Sequence, residues 1–325
     1  MSHVSVYGGG PAGASAAIAA RNCGAEVTIH ERGTFPRHKV CGEFLSPEIS
    51  ALLQKLGLSQ AFAALRPRQY NRLELHFGKH TARHRFSEPA FGLSRYAFDK
   101  LLFDHSRQLG ADLVRDPAPS HSTWPVVIAH GRREELPRGR RLFGFKAHFE
   151  GPGDDTVSLY FADHCYIGVN TVEDGVTNVC GVAPESQLRE FAFDFDAYTN
   201  CLPALRERMK PLTRTFDWLA TGPLAFRQRW TAPAGDQYPA GDALSFIDPF
   251  TGSGLLSAVL TGILAGEHAA NGIPVDQYLK RCRKSLRNPF LASSAMRAAL
   301  DHRGAETLAA LLPPRWLMQL TRPTL

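Results

Sequence analysis

Long apolar runs and closely spaced cysteines are both missing from this sequence of 325 residues. No stretch reaches the roughly 18 consecutive apolar residues that a membrane-spanning helix needs, since the stretch from Gly254 to Gly266 is interrupted by Ser257 and Thr261. The six cysteines include no C-x-x-C spacing, which argues against a zinc site. The first residues alternate as in a strand, and no apolar export signal follows them. We therefore expect a cytoplasmic protein with reduced thiols and no bound metal.

The composition is that of an ordinary globular protein, with 44% apolar and 21% charged residues. The net charge is +6, but no basic stripe interleaved with aromatic residues indicates a nucleic-acid partner. The segment from Thr307 to Arg322 has an amphipathic pattern. We expect it to pack as a final helix, and peripheral contact with a membrane is the less favoured alternative.

Hydrophobic patterning predicts an α/β chain in which a β-α-β unit is followed by a sheet-rich middle and a return to α/β structure. Helices are expected over Ser46 to Leu65, Tyr96 to Leu109, Phe193 to Met209, Gly252 to Ala270 and Val275 to His302. The middle, from Leu142 to Val182, alternates as an antiparallel sheet does. We divide the chain into a nucleotide-binding lobe (1–70, 95–135, 233–272), an inserted substrate lobe (71–94, 136–232) and a C-terminal helical segment (273–325).

The strongest motif is Gly8-Gly9-Gly10-Pro11-Ala12-Gly13, which lies between a strand and a helix. In this context Gly8 permits a tight turn, Gly10 lets the backbone approach a pyrophosphate, and Gly13 allows close packing of helix and strand. Glu31 ends the second strand and is suited to accept hydrogen bonds from an adenosine ribose. The alternative is a glycine turn in an unrelated α/β protein. The complete β-α-β context favours a dinucleotide site.

Three further segments accompany this motif: a Lys39-x-Cys41-Gly42-Glu43 run, an arginine at the start of a helix, Arg95, and a distal Gly241-Asp242 followed by Asp248-Pro249-Phe250-Thr251-Gly252-Ser253-Gly254. With the glycine motif they span most of the chain. Together they resemble the FAD-dependent monooxygenase and geranylgeranyl reductase superfamily, whose fold is that of p-hydroxybenzoate hydroxylase. The resemblance implies a Rossmann-type FAD-binding lobe with an inserted antiparallel-sheet substrate lobe and C-terminal helices.

The cofactor implied is FAD. The residues expected to bind it are Gly8, Gly10, Gly13, Glu31, Arg32, Lys39, Gly42, Arg95, Asp242, Pro249, Gly252, Ser253 and Gly254. Asp242 is suited to accept from ribityl or ribose hydroxyls, and the 252–254 turn presents free helix N–H groups to the flavin. Without the other segments, Gly241-Asp242 is also typical of a turn that caps a helix. Arg95 could equally be an arginine on the surface.

Cys41 and Glu43 are the candidate catalytic residues, because the resemblance places their loop beside the isoalloxazine. One loop would then offer a proton donor, Glu43, next to a hydride donor. A buried, inert Cys41 is the alternative.

Two departures from the superfamily bear on the electron donor. His130 stands where the usual acid of an Asp-Gly motif is found, and the stretch from Asp116 to Trp124 is short. NAD(P)H is therefore left open as a transient electron donor beside a redox partner. The paired tryptophan motif of flavin-dependent halogenases is not visible, which disfavours halogenation.

The function favoured by these patterns is FAD-dependent oxidation or reduction of an apolar small molecule, with hydride transfer at flavin N5 as in the geranylgeranyl reductases. Two alternatives remain, a monooxygenase that uses NAD(P)H and oxygen and a non-catalytic or electron-transfer flavoprotein. A simple NAD-dependent dehydrogenase would have no use for Asp242 or for the 248–254 segment.

Overall fold

The structure is a computed structural model that describes residues 2–117, 119, 122–132, 140–231, 233, 235–300 and 322–323. Within these residues no helix is long and apolar enough to cross a bilayer. The C-terminal segment from Thr307 to Arg322 lies outside the described residues except for Arg322. Its helical form and its contact with a membrane therefore stay predictions.

The strands of the described residues form two large sheets and one small sheet, in which Arg227–Gln228 pairs with Ser245–Phe246. The strands are β1 (His3–Tyr7), β2 (Glu26–His30), β3 (Phe44–Leu45), β4 (Arg68–Phe77), β5 (His80–Gly92), β6 (Asp112–Val114), β7 (Val126–Ile128), β8 (Leu142–Glu150), β9 (Thr156–Ala162), β10 (Cys165–Thr171), β11 (Thr177–Pro184), β12 (Thr213–Arg214), β13 (Leu219–Leu224), β14 (Arg227–Gln228), β15 (Gln237–Pro239) and β16 (Ser245–Phe246). The helices are α1 (Pro11–Asn22), α2 (Ile49–Lys55), α3 (Ser59–Ala64), α4 (Arg95–Gln108), α5 (Glu185–Glu190), α6 (Phe195–Asn200), α7 (Pro203–Met209), α8 (Gly254–Ala270) and α9 (Val275–Leu300).

The first sheet is parallel and has five strands in the order β15, β7, β1, β2, β6. Its buried, β-branched side chains, such as Val6 and Ile29, are typical of a parallel sheet that is covered on both faces. The carboxyl ends of its strands meet at one edge. Gly8 follows β1 at that edge, Glu31 follows β2 and Gly241 follows soon after β15, so the topology gathers residues that lie far apart in the sequence.

Helices α1 and α8 pack closely because small residues line their contact. A Cβ atom added at Gly262 would lie 2.2 Å from the carbonyl oxygen of Ala12, and one at Gly266 would lie 2.1 Å from that of Ala16. Only glycine permits this approach. The contact sets the glycine loop before α1 beside the glycine turn before α8.

The second sheet has nine strands in the order β12, β8, β11, β10, β9, β4, β5, β3, with β13 also paired to β8. Its pairs are antiparallel apart from β4 with β9, which is parallel. One face, with Phe145, Ile167 and Val179, packs against α5, α6 and α7. The opposite face carries a second apolar cluster that includes Leu75 and Val182, and this face forms one wall of the cavity described below.

Most of the sequence predictions for the fold are confirmed. The α/β fold class, the initial β-α-β unit and the sheet of the middle region are all present. The expected helix of the 193–209 region consists of the two short helices α6 and α7. The division of the chain at residues 70, 94, 135, 232 and 272 stays a prediction.

One prediction of regular structure was wrong, and one long strand was not predicted. A single helix from Ser46 to Leu65 is wrong, because Gly57 adopts a left-handed φ of +72° that separates α2 from α3. The long strand β5 was not predicted, since its side chains from His80 to Glu88 are polar or half-exposed and show no buried stripe. Its position is decided by pairing with β4 rather than by its own pattern.

Candidate functional site

A cavity of about 750 Å³ lies between the carboxyl edge of the parallel sheet and the apolar face of the mixed sheet. This volume falls within the range of about 300–1,000 Å³ that is usual for ligand pockets. One wall is formed by the glycine loop, the 37–43 segment and Asp242. The other is formed by apolar side chains of the second sheet, namely Leu73, Leu75, Phe77, Val157, Leu159, Phe161 and Val182.

The glycine loop has the geometry that the sequence motif predicts. Gly8 has a φ of +106°, and a Cβ atom added there would lie 2.4 Å from the carbonyl oxygen of Ala129. A Cβ atom at Gly13 would lie 1.8 Å from the carbonyl oxygen of Gly8. Gly10 differs, because no atom lies within 4 Å of its Cβ position and it lines the cavity. Gly8 and Gly13 thus shape the loop, and Gly10 leaves room in front of the N-terminus of α1.

Glu31 lines the cavity, and its carboxylate already has partners. It accepts hydrogen bonds from the backbone N–H groups of Gly9 at 2.9 Å and Gly33 at 2.6 Å, and from the Arg37 guanidinium at 3.2 Å. Burial acts to raise the pKa of Glu31, but the Arg37 and backbone hydrogen bonds lower it below its ordinary value. Glu31 is therefore ionised and able to accept from a ribose, with Arg37 sharing its oxygens. Arg32 is exposed and does not line the cavity.

Asp242 lies in the cavity wall just after β15. No described residue donates a hydrogen bond to its carboxylate or pairs with it, although Arg95 and Arg132 act on it through their charge. Burial raises the pKa of Asp242 above its ordinary value, and these two arginines only partly oppose the rise. A carboxylate that has no hydrogen-bond donor among the described residues is suited to accept hydrogen bonds from hydroxyl groups of a ligand.

The turn before α8 completes this wall. Gly252 has a φ of +65°, and a Cβ atom there would lie 2.7 Å from Cδ1 of Phe44, whereas Gly254 has open space at its Cβ position. Ser253 is buried, and its hydroxyl lies 2.8 Å from that of Thr251. Pro249, Gly252 and Gly254 line the cavity, and Ser253 supports the turn without lining it. The free N–H groups at the start of α8 are thereby presented to the cavity.

Arg95 opens α4, as predicted, and lines the cavity. Its guanidinium forms a bidentate pair with the buried Asp99, with two N···O distances of 2.6 Å. This pairing fixes the guanidinium plane. The backbone N–H of Arg95 donates to Glu43 at 2.7 Å, which joins α4 to the 37–43 segment.

Glu43 is fully buried and adopts a φ of +52°. Its carboxylate accepts a hydrogen bond from the buried Lys146 ammonium and lies 2.6 Å from Nε2 of His148. Burial acts to raise the pKa of Glu43, but the hydrogen bond with His148 and the charge of Lys146 lower it below its ordinary value. Glu43 is therefore an ionised anchor that joins β3, β8 and the start of α4. This state favours an anchoring role over the expected role as a proton donor.

Lys39, Cys41 and Gly42 line the cavity beside this anchor. The Cys41 thiol accepts from the Glu43 backbone N–H at 3.4 Å. Burial raises the pKa of Cys41, and the charge of Arg95 opposes the rise only in part. The thiol therefore keeps its proton at neutral pH, which does not favour a nucleophilic role. A catalytic role for Cys41 stays a prediction.

His38, Glu43 and His148 bring potential metal-ligand atoms within 4.8 Å of one another. The Lys146 ammonium donates to the same carboxylate, so its negative charge is already balanced by a cation. A divalent ion at this position would be placed close to that ammonium. The arrangement is that of a buried ion-pair network.

Lys146 and His148 were not identified from the sequence, although a signal for them exists. In Phe145-Lys146-Ala147-His148-Phe149 the polar residues alternate with apolar ones along β8. The apolar residues face a hydrophobic core, and the period of two puts Lys146 and His148 together on the opposite face. The alternation does not tell which carboxylate they meet.

Comparison with known proteins gives a few short sequence matches, all to menaquinone reductases, and many structural ones. No protein-family model matches the chain. A menaquinone reductase of Mycobacterium tuberculosis (strain ATCC 25618 / H37Rv) is 45% identical over 60 residues, which is 18% of this chain and 15% of that relative. The chain therefore matches only a small part of that protein's length.

Two solved structures show the shared architecture. The flavin-dependent brominase Bmp2 aligns with a TM-score of 0.80 at 18% identity, covering 98% of this chain and 93% of that one. A geranylgeranyl bacteriochlorophyll reductase-like protein from Thermoplasma acidophilum aligns with a TM-score of 0.69 at 20% identity, covering 99% and 91%. At these identities the likeness establishes the fold. The chain therefore has the fold that these two proteins share, in agreement with the fold that the sequence resemblance predicted.

Proposed function

We propose that this protein is an FAD-dependent oxidoreductase that reduces an apolar small molecule. The observation that carries the proposal is a single cavity with two unlike walls. One wall has a glycine loop, a helix N-terminus and carboxylates suited to a dinucleotide. The other is apolar and is suited to a substrate without charge over most of its surface.

The residues present fit FAD. Gly10 has open space in front of it, and the Asp242 carboxylate has no donor among the described residues. The start of α1 is suited to hold the pyrophosphate, and Glu31 and Asp242 to accept from ribose and ribityl hydroxyls. Lys39, Gly42 and the N-terminus of α8 would lie along the flavin. Arg32 and Ser253 have no direct part in this assignment, since neither lines the cavity.

FAD, when bound, supplies hydride transfer at its N5 atom. The chain's own part is to bind, to orient and to exclude water. Glu43, held by Lys146 and His148, fixes the loop that carries Cys41 and Gly42 in the cavity wall. The apolar side chains of β4, β9 and β11 keep the opposite wall dry.

The proposal also concerns the molecule that supplies electrons to the flavin. His130 lines the cavity where a carboxylate was expected from the resemblance, and its Nδ1 lies 2.9 Å from the Gly131 carbonyl oxygen. An imidazole there does not offer a nicotinamide cofactor the hydrogen-bond acceptors that a carboxylate would. A redox protein or a quinol is therefore our preferred donor, with NAD(P)H as the alternative.

The menaquinone reductase relative supports reduction as the reaction, within the short segment that matches. The apolar chamber itself also suits a monooxygenase, because hydroxylation requires that water be kept from the site. The apolar chamber therefore keeps a monooxygenase as the second candidate function.

The test begins with the visible spectrum of the purified protein and with identification of any released flavin by mass spectrometry. The protein is then reduced chemically without air and mixed with a methyl-naphthoquinone or a polyprenyl alkene. Anaerobic reoxidation of the flavin, with formation of reduced product, is expected. A colourless protein that does not take up FAD would overturn the proposal. Product that forms only with oxygen, and carries an oxygen atom from it, would establish the monooxygenase instead.

A further inference from the structure

His38 lies where the cavity wall meets the surface of the protein. It lines the cavity and is accessible to solvent. Its ring stacks on the Tyr96 ring, with the ring centres 4.9 Å apart, and its centre lies 4.7 Å from that of the Phe216 ring. Tyr96 is 45% exposed, so one side of this aromatic cluster is in contact with water. His38 therefore reaches both the solvent and the cavity.

The ring of His38 also contacts the buried ion-pair network of Glu43. It meets the His148 ring edge-on, with 5.2 Å between the ring centres. A ring nitrogen of His38, a carboxylate oxygen of Glu43 and a ring nitrogen of His148 all lie within 4.8 Å of one another. The Lys146 ammonium donates to the same carboxylate. The imidazole is thus placed beside a carboxylate and an ammonium at once.

These surroundings favour release of a proton from His38. Burial lowers the pKa of His38 below its ordinary value, and Lys146 and His148 act in the same direction through their charges. The charge of Glu43 opposes them. The other two side chains against the ring, Tyr96 and Phe216, bring no carboxylate, ammonium or guanidinium. An imidazolium with a lowered pKa is a stronger acid than a free one, and it still titrates close to neutral pH.

Other acids in the described part of the cavity wall are less suited to give up a proton at neutral pH. Glu43 is already ionised, because its hydrogen bonds and the charge of Lys146 lower its pKa. Burial raises the pKa values of Cys41 and Tyr166, so both groups hold their protons. Of the two histidines in the described wall, His38 is the one that contacts the buried charges.

We infer that His38 is the catalytic acid that delivers a proton to the substrate as hydride is transferred to it. The inference rests on the proposed function, in which the hydride comes from reduced FAD and the electrons from a redox protein or a quinol. Hydride brings an electron pair to one atom of the substrate, and negative charge develops on a conjugated partner atom. The N–H bond of the His38 imidazolium breaks, the proton joins that partner atom, and the electron pair of the bond stays on the ring nitrogen.

The position of His38 between water and the cavity also returns the proton. After the transfer, the neutral imidazole takes up a proton from water on the side of Tyr96. The Glu43 carboxylate stabilises the imidazolium that forms, since its charge raises the pKa of His38. The contacts with Tyr96 and Phe216 limit the movement of the ring while its charge changes.

The experiment uses the full chain loaded with FAD, as wild type, His38→Phe, His38→Ala and His80→Ala. Phenylalanine keeps a ring beside Tyr96 and Phe216 and removes both nitrogens, whereas alanine leaves a space for added imidazole. His80 is an exposed histidine of β5 outside the cavity, and its variant is the matched control. Each protein is chemically reduced without air and mixed with a methyl-naphthoquinone between pH 5 and pH 8. The rate of flavin reoxidation and the affinity for the quinone are measured.

We expect both His38 variants to reoxidise about a hundredfold more slowly, with quinone affinity changed by less than about threefold. Added imidazole should restore part of the rate in His38→Ala and not in His38→Phe, because only the first leaves room for it. The wild-type rate should fall as the pH rises through the pKa of His38, since the imidazolium is the acid. Both variants should lose this dependence, and His80→Ala should behave as the wild type does.

A second measurement does not depend on FAD. NMR titration of the flavin-free protein follows the Cε1 proton of His38, which is assigned by its absence from His38→Phe. We expect it to titrate with a pKa below the ordinary value of 6.5. A His38 ring that does not titrate between pH 4 and pH 8 would contradict the inference, because such a ring exchanges no proton in this range.

Three kinetic outcomes would also overturn the inference: an unchanged rate in folded His38→Phe, a slow His38→Ala that imidazole does not accelerate, or the same loss and rescue in His130→Ala instead. Thermal unfolding of each variant reports whether it is folded. If the wild type takes up no FAD, or if the quinone does not reoxidise its flavin, the proposed function fails. The two failures are distinguishable, because the first appears only in the variants and the second already in the wild type.

Discussion

The two walls of the cavity are built in different ways. The wall proposed to bind the nucleotide, called the nucleotide wall below, consists of short motifs in which a few consecutive residues act together, such as Gly8 to Gly13 and Gly252 to Gly254. The wall proposed to contact the substrate consists of single side chains from separate strands, such as Leu75 in β4, Leu159 in β9 and Val182 in β11. A backbone turn needs particular residues next to one another. An apolar surface needs only the right face of each strand.

The Glu43 anchor lies where the two walls meet, and it belongs to neither pattern. The carboxylate comes from the motif segment, whereas Lys146 and His148 come from the mixed sheet. All three side chains are almost completely removed from solvent. The four predictions below test the walls and this junction, in order of decreasing effect.

The largest effect is expected for Glu43→Ala, because it leaves the Lys146 ammonium buried without its carboxylate. Removal of one partner of a buried ion pair costs about 3–5 kcal/mol. Urea unfolding measures the free energy of unfolding. Glu88→Ala, which removes an exposed carboxylate of β5, is the control and is expected to change little. A loss below about 1 kcal/mol, the range of a surface ion pair, would contradict the anchoring role.

The ionised state of Glu43 also predicts that the stability of the fold depends on pH. Because the folded state lowers the pKa of Glu43, its charge stabilises the fold above the pKa of the unfolded chain, about 4.3. That stabilisation is lost as the pH falls through the lower pKa of the folded state. The stability difference between the wild type and Glu43→Gln should therefore shrink in acid, and a difference that is constant with pH would refute the ionised state.

The second prediction separates folding from cofactor binding in the nucleotide wall. The Cβ position of Gly10 lies in open space. The Gly10→Val substitution should therefore change the free energy of unfolding of the flavin-free protein by less than about 1 kcal/mol. FAD affinity should fall by about a hundredfold or more, because the side chain occupies the approach of the pyrophosphate. Gly13→Ala should instead destabilise the fold, since its Cβ meets the carbonyl oxygen of Gly8. Full flavin retention in folded Gly10→Val would contradict the assigned site.

The third prediction concerns Asp242, where binding and stability are expected to change in opposite directions. Asp242→Asn should weaken FAD binding by about tenfold, through loss of a charged hydrogen-bond acceptor. Because burial raises the pKa of Asp242 in the folded state, its ionisation destabilises the free protein as the pH rises through that pKa. The flavin-free Asn variant should therefore be the more stable at neutral pH, and this gain should vanish below the unfolded pKa of about 3.9.

Thermal unfolding of the flavin-free wild type and Asp242→Asn from pH 3 to pH 8 measures which of the two is more stable at each pH. A wild type that is more stable than Asp242→Asn at neutral pH, in the absence of flavin, would show that the carboxylate has a structural partner.

The smallest effect is expected at Cys41. Since burial raises the pKa of its thiol, alkylation by iodoacetamide at neutral pH should be slow and should speed up as the pH rises. Cys41→Ser should change FAD affinity by less than about threefold, the scale of an ordinary surface substitution. Loss of turnover in this variant, with FAD affinity and stability preserved, would support the catalytic role that the resemblance suggested.

The sequence by itself indicated which segments form one wall of the cavity. Gly8 to Gly13, Glu31, Arg95 and Asp242 were predicted from it as cofactor-binding residues, because turns, helix starts and strand ends leave local signals, and their role in binding stays a prediction. It also indicated the fold class, since the two sheets differ in hydrophobic period. The same motifs suggested Arg32 and Ser253 as direct ligands, although neither lines the cavity. Local patterns identify a turn without fixing the direction of every side chain in it.

Only the tertiary structure decided the partners of the buried charges. Lys146 lies 103 residues from Glu43 along the chain, and His148 lies 105 residues away. Their pairing follows from strand register and from the packing of β8 against the 37–43 segment. The charge state of Glu43 depends on these contacts, because electrostatic interactions depend on distance in space and on burial rather than on position in the sequence.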